Sequence, residues 1–153
     1  MHFWLQEPHV RDFWDDGDRT IEQVTEHYFS LRSVDSYIIS CDYLSIGYIQ
    51  AYPIEKSHPL DPWMTQKGET WGMDLFIGNK TYLNLGLSTP IIQEFINLLL
   101  QNPRLKRIIT DPEMHNSRAH AIYEKAGLRK IAHDVSLGNG RVHAIFQWDI
   151  DFF

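Results

Sequence analysis

Three features of the chain could do chemistry: a carboxylate inside a strand, a glycine turn ahead of a helix, and a tyrosine on a later helix. Asp74 lies within Thr70–Ile77, a stretch whose other residues favour a β-strand. A mid-strand carboxylate is a poor strand former and needs a reason. Side chains alternate across a strand, so if Met73 and Leu75 enter the core, Asp74 points to the other face. Taken alone, it also reads as a solvated or hydrogen-bonded structural residue. The turn Leu83-Asn84-Leu85-Gly86-Leu87-Ser88 follows that strand and precedes a helical pattern. Backbone N–H groups at such a helix start, aided by the helix dipole, can bind a pyrophosphate without any basic side chain. Gly86 would let the anion approach the backbone, although a single glycine here also fits an ordinary left-handed turn. Tyr123 carries a phenol whose unperturbed pKa near 10 leaves it protonated and able to donate at neutral pH. It also fits as an aromatic packed beside Ile122.

Other chemistries find little support. The eight histidines form no metal-binding motif, and His115 and His120 stand five apart at or beside a helix start, so no metal is expected. Cys41 is the only cysteine, so no intrachain disulfide can form. Its place in an expected strand, without a basic neighbour in sequence, suggests a buried inert thiol. Nothing points to an oxidising compartment, and the cytoplasm is the expected location. The net charge of −6, with no basic run, excludes a duplex nucleic-acid footprint and suits a cationic small molecule. It also fits simple solubility. No apolar run is long enough for a membrane span, so no membrane partner is expected.

These residues need a scaffold, and 153 residues suffice for one domain with one core, read here as 1–153 without repeats or linkers. Residues 1–15 read as the end of one helix and a loop. Thr20 and Gln23 form a capping box ahead of a helix over about 20–31. Residues 37–41 and 45–52 form a hairpin broken at Asp42. The prolines Pro53, Pro59 and Pro62 mark 53–70 as a long loop, a common place for binding residues. After the strand over 70–77, Ile91, Ile92, Phe95, Ile96, Leu98 and Leu99 have helical spacing, with Ser88 or Thr89 as cap and Pro90 in the first turn. A short strand over 107–110 follows. Asn116 then opens a helix whose Ala119, Ile122, Tyr123 and Ala126 form one stripe and whose Gly127 is the stop. Residues 131–137 and 142–150 close the chain as a hairpin around Gly138-Asn139-Gly140. The whole is a mixed α/β chain, with a right-handed crossover from the third strand to the fourth and a ligand site at the turn between.

Asn116-Ser117-Arg118-Ala119-His120-Ala121-Ile122-Tyr123-Glu124-Lys125-Ala126-Gly127-Leu128 resembles the N-x-R-A-x-x-x-Y-E-K-x-G-F signature of GNAT acetyltransferases. Four further segments are similar to aminoglycoside 6'-N-acetyltransferases: Trp4-Leu5 with Phe13-Trp14, Ile46 through Tyr52, Gly72-Met73-Asp74, and Pro103 through Pro112. The resemblance spans essentially the whole chain. Siderophore-type N-acyltransferases share much of it, especially around Thr110-Asp111-Pro112 and the Tyr123 helix.

The resemblance implies a single mixed central sheet flanked by helices; as a departure from it, either the family's usual first strand is missing here or another element completes the sheet. A sheet edge left open in that way invites a homodimer. It implies acetyl-CoA as co-substrate, held by Phe76, Ile77, Asn84, Leu85, Gly86, Leu87, Ser88, Thr89, Asn116 and Tyr123. A strand N–H near Phe76 would meet the developing oxyanion, and the Tyr123 hydroxyl the departing thiolate. Asp74 corresponds to the acidic residue that binds the substrate amine and deprotonates it through water. Asp61 and Trp63 correspond to loop residues that hold aminosugar rings through a carboxylate–ammonium pair and an aromatic face. The implied activity is acetyl transfer to the 6'-amine of an aminoglycoside, hence antibiotic resistance. The rivals are a siderophore-precursor or polyamine N-acyltransferase and a non-catalytic acyl-CoA binding module. One departure concerns the turn: where the family has Q/R-x-x-G-x-G/A, Leu83 and Ser88 hold the first and last positions.

Overall fold

The computed structural model describes residues 1–14, 16–30 and 33–150. The expected loop residue Asp15 and the expected helix end at Leu31 lie outside them. Helices α1 (His2–Gln6), α2 (Pro8–Arg11) and α3 (Ile21–Phe29) precede strands β1 (Asp35–Cys41), β2 (Leu44–Pro53) and β3 (Glu69–Ile77). Then come α4 (Ser88–Leu99), β4 (Leu105–Thr110), α5 (Ser117–Lys125), β5 (Arg129–Ser136) and β6 (Val142–Asp149). Single 3-10 turns occupy Asp61–Trp63 and Lys80–Tyr82. The strands form one mixed sheet in the order β1-β2-β3-β4-β6-β5, with β1 at an edge. Packing divides the chain into two compact units, residues 1–51 with 74–85, and 52–73 with 86–153.

In the first unit the N-terminal stretch forms two short helices rather than the end of one. Pro8 takes the first position of α2, and the residue before a proline is pushed towards extended backbone, so Glu7 at ψ 131° breaks the run. Thr20 and Gln23 form the expected capping box on α3, Oγ1 of Thr20 accepting from the Gln23 N–H and Oε1 of Gln23 accepting from the Thr20 N–H. Asp42 and Tyr43 join β1 to β2 with φ of 48° and 65°, the positive pair that a two-residue type I' hairpin turn requires. Cys41 ends β1 half-buried, not buried as expected. Leu5, Val10, Val24, Tyr28 and Tyr48 make the core, with Trp14 and Phe76 packed against it. The Tyr28 hydroxyl donates to Asp16 and accepts from Trp14 Nε1 at 2.7 Å. Burial, and then the bond to Asp16, hold that phenol well above its usual range.

Gly47 marks the tightest backbone approach in this unit. A Cβ there would lie 2.3 Å from the carbonyl oxygen of Phe76, an atom that can yield only if a strand moves. Gly47→Ala is therefore expected to cost about 1–3 kcal/mol, as overpacking does. Thermal denaturation checks this, and an unchanged melting temperature would contradict it.

The second unit is built on a crossover: β3 pairs parallel to β4 through Glu69–Gly72, with α4 between them in sequence. β6 pairs antiparallel to both β4 and β5. Arg107 and Asp149 are register partners on β4 and β6, and their side chains form an ion pair at 2.7 Å. Ile54, Leu60, Ile109 and Ile145 form a buried cluster under the 53–70 loop. Leu87, not Ser88 or Thr89, holds the cap position of α4, and no side chain caps that helix. Asn116 caps α5 by accepting from the Ala119 N–H at 3.2 Å, and Gly127 ends the helix at φ 100°. Among the described residues no helix is long and apolar enough to cross a membrane.

Candidate active site

The candidate residues divide between the two units. Asp74, Phe76, Ile77, Asn84 and Leu85 belong to the first; Asp61, Trp63, Gly86, Leu87, Ser88, Thr89, Asn116 and Tyr123 belong to the second.

Asp74 is half-buried on β3, between buried Met73 and half-buried Leu75. The pleat puts it on one face with Phe76, whose ring lies edge-on to Trp14 at 4.8 Å and to Trp4 at 6.3 Å. Gln50 Nε2 on β2 donates to Asp74 Oδ2 at 3.0 Å, and the Tyr48 hydroxyl donates to Gln50 Oε1 at 2.9 Å. The carboxylate is thus held at the end of a side-chain relay, and neither relay residue was singled out from sequence. The available signal was their spacing: Tyr48 and Gln50 are two apart on a strand and share a face. Ile77 is buried, and its carbonyl accepts from His9 Nε2 at 2.8 Å, which requires the proton on that ring nitrogen.

In the turn, Asn84 and Gly86 adopt positive φ of 60° and 71° on either side of exposed Leu85. Asparagine tolerates this region better than most residues, and glycine enters it freely. A Cβ built on Gly86 meets nothing within 4 Å, so only the backbone conformation calls for glycine. Leu87 then leads into α4, whose first N–H groups have no side-chain cap. Open space at Gly86 beside an uncapped twelve-residue helix suits a phosphate group.

Tyr123 is buried on α5, its ring 5.9 Å from that of Phe146 on β6. His120, one turn earlier, is also buried and lies edge-on to Phe146 at 5.2 Å, its Nε2 bonded to the Glu113 carbonyl at 3.0 Å. The buried stripe of α5 therefore includes a histidine as well as the expected Tyr123 and Ala126, while Ala119 and Ile122 are half-buried. The oxygen of the Asn116 side chain is engaged by its capping bond. Asp61 and Trp63 share one 3-10 turn. Asp61 Oδ2 accepts from the Ser57 N–H at 2.9 Å and closes the loop, and Trp63 packs half-buried against the Ile54 and Leu60 cluster. The Trp63 carbonyl accepts from Arg107 at 2.9 Å. Among the described residues no three His, Cys, Asp or Glu side chains gather as a metal site.

The chain belongs to the acetyltransferase (GNAT) domain family, which it matches over residues 1–135, a span that includes every candidate residue. It is 31% identical over 135 residues to the aminoglycoside N(6')-acetyltransferase type 1 of Klebsiella pneumoniae, covering 83% of this chain and 66% of that protein. The chain thus spans just under two thirds of the length of that curated relative. A solved aminoglycoside acetyltransferase in complex with coenzyme A and kanamycin superposes with a TM-score of 0.80 at 28% identity, covering 97% of this chain and 86% of that one. The aminoglycoside N(6')-acetyltransferase of Legionella pneumophila superposes at 0.71 with 27% identity, covering 95% of this chain and 82% of that one.

Proposed function

We propose that this protein transfers an acetyl group from acetyl-CoA to a primary amine of an aminoglycoside, at the 6' position. The observation that carries the reading is the Gly86 turn, where positive φ, open space and an uncapped helix start coincide. The 6' position follows the Klebsiella pneumoniae and Legionella pneumophila relatives.

Acetyl-CoA supplies an activated thioester. Gly86, Leu87, Ser88 and Thr89 would hold its pyrophosphate through backbone N–H groups, with Asn84 and Leu85 beside them in sequence and Asn116 at the start of α5 as a further contact. Asp74 binds the substrate ammonium by charge and accepts its proton, directly or through water. Tyr123 donates a hydrogen bond to the sulfur as it leaves. Asp61 and Trp63 offer the aminosugar a carboxylate oxygen and an aromatic face.

Gly86→Val is expected to weaken acetyl-CoA binding at least tenfold. A β-branched residue at φ 71° is strained, and its side chain fills the open space. Calorimetric titration with coenzyme A checks this, and unchanged affinity in a folded variant would place the phosphate site elsewhere.

The reading as a whole is tested by thiol release with acetyl-CoA and a panel of kanamycin-like aminoglycosides, polyamines and hydroxylated lysine. Turnover confined to the aminoglycosides is the expected result. Turnover confined to polyamine or hydroxylated lysine would replace the substrate class, and coenzyme A binding without turnover would replace the enzyme by a binding module.

A further inference from the structure

We infer that Gln50 is a positioning residue for Asp74, and that Tyr48 sets the orientation in which Gln50 acts. The inference rests on the reading of Asp74 as the amine-binding carboxylate. An ionised carboxylate only accepts hydrogen bonds, so the Gln50 group 3.0 Å from Asp74 Oδ2 must be the amide nitrogen. That orientation turns Oε1 of Gln50 towards the Tyr48 hydroxyl, which donates to it at 2.9 Å. The bond to the carboxylate fixes the amide in one of its two flipped states, and the Tyr48 hydroxyl, which can donate or accept, takes the donor role that this leaves.

The Tyr48 end of the relay is rigid. Tyr48 is 3% exposed and its ring is ringed by Tyr28 at 5.2 Å, Phe76 at 5.9 Å and Trp14 at 6.1 Å. Tyr28 is itself tied to Asp16 and Trp14. The core of the N-terminal helices thus ends, through Tyr48 and Gln50, on one oxygen of the strand carboxylate. A hydrogen bond to a charged acceptor is about twice as strong as a neutral one, so the relay restrains the Asp74 carboxylate through Oδ2 for an incoming ammonium. Placement to within about half an ångström is what such a site requires.

The test is a double-mutant cycle on kcat/KM for the amine, with the KM for acetyl-CoA and the melting temperature measured alongside. Gln50→Met keeps an unbranched side chain of similar length and removes the donor. It is expected to lower kcat/KM for the amine roughly tenfold and to leave the KM for acetyl-CoA unchanged. Tyr48→Phe keeps the ring and deletes the hydroxyl, and a smaller loss of the same kind is expected. In an Asp74→Asn background both losses should vanish, since the carboxylate charge that the relay orients is gone. Losses that persist at full size in that background would overturn the inference while leaving Asp74 in place. Wild-type turnover that Asp74→Asn does not change would instead overturn the role of Asp74 and the inference with it.

Discussion

Asp74→Asn is expected to lower kcat/KM for the amine by roughly 10²-fold or more, with coenzyme A affinity near that of the wild type. The asparagine oxygen can still accept from Gln50 Nε2, so the contact between the two strands survives and the fold should be kept. What is lost is the charge that holds an ammonium and the group that takes its proton. Steady-state kinetics across pH separates the two roles. If Asp74 acts only as a base, raising the pH recovers much of the loss, because more of the amine is already neutral. If it acts as a binding anion, raising the pH recovers little. Ordinary activity of the folded variant towards every amine tested would remove Asp74 from the site.

Tyr123→Phe should lower kcat by about tenfold or more with little change in KM, since its hydrogen bond develops only as the thiolate departs. The substitution is conservative for packing. The ring is buried and lies against Phe146, and a phenylalanine keeps that contact. Melting temperature is therefore the control, and a kcat loss without a matching stability loss assigns the hydroxyl to chemistry. An unchanged kcat would make Tyr123 a core aromatic, the other reading its helix stripe allows.

Local signals carried most of the scaffold. The capping box at Thr20 and Gln23, the Asn116 cap and the Gly127 stop are each set by residues within three or four positions of one another, and each forms as its spacing predicts. The cap on α4 misled because Ser88 and Thr89 are good capping types, yet the helix begins at Ser88 and leaves the cap position to Leu87. Contacts distant in sequence were not legible. Gln50 meets Asp74 across 24 residues, and only the adjacency of β2 and β3 in the sheet brings them together. His120 was placed only at or beside a helix start, and nothing in its spacing told that its ring nitrogen is bonded to the Glu113 carbonyl in the interior. In the same way the expected sugar-binding carboxylate of Asp61 proved also to brace its own loop through Ser57.

The central claim is acetyl transfer to an aminoglycoside amine, and product analysis tests it most directly. Purified protein incubated with acetyl-CoA and kanamycin should yield mono-acetylated kanamycin by mass spectrometry, with the new amide located at the 6' nitrogen by NMR. Kanamycin recovered unmodified while acetyl-CoA stays intact, from protein that binds coenzyme A, would contradict the account.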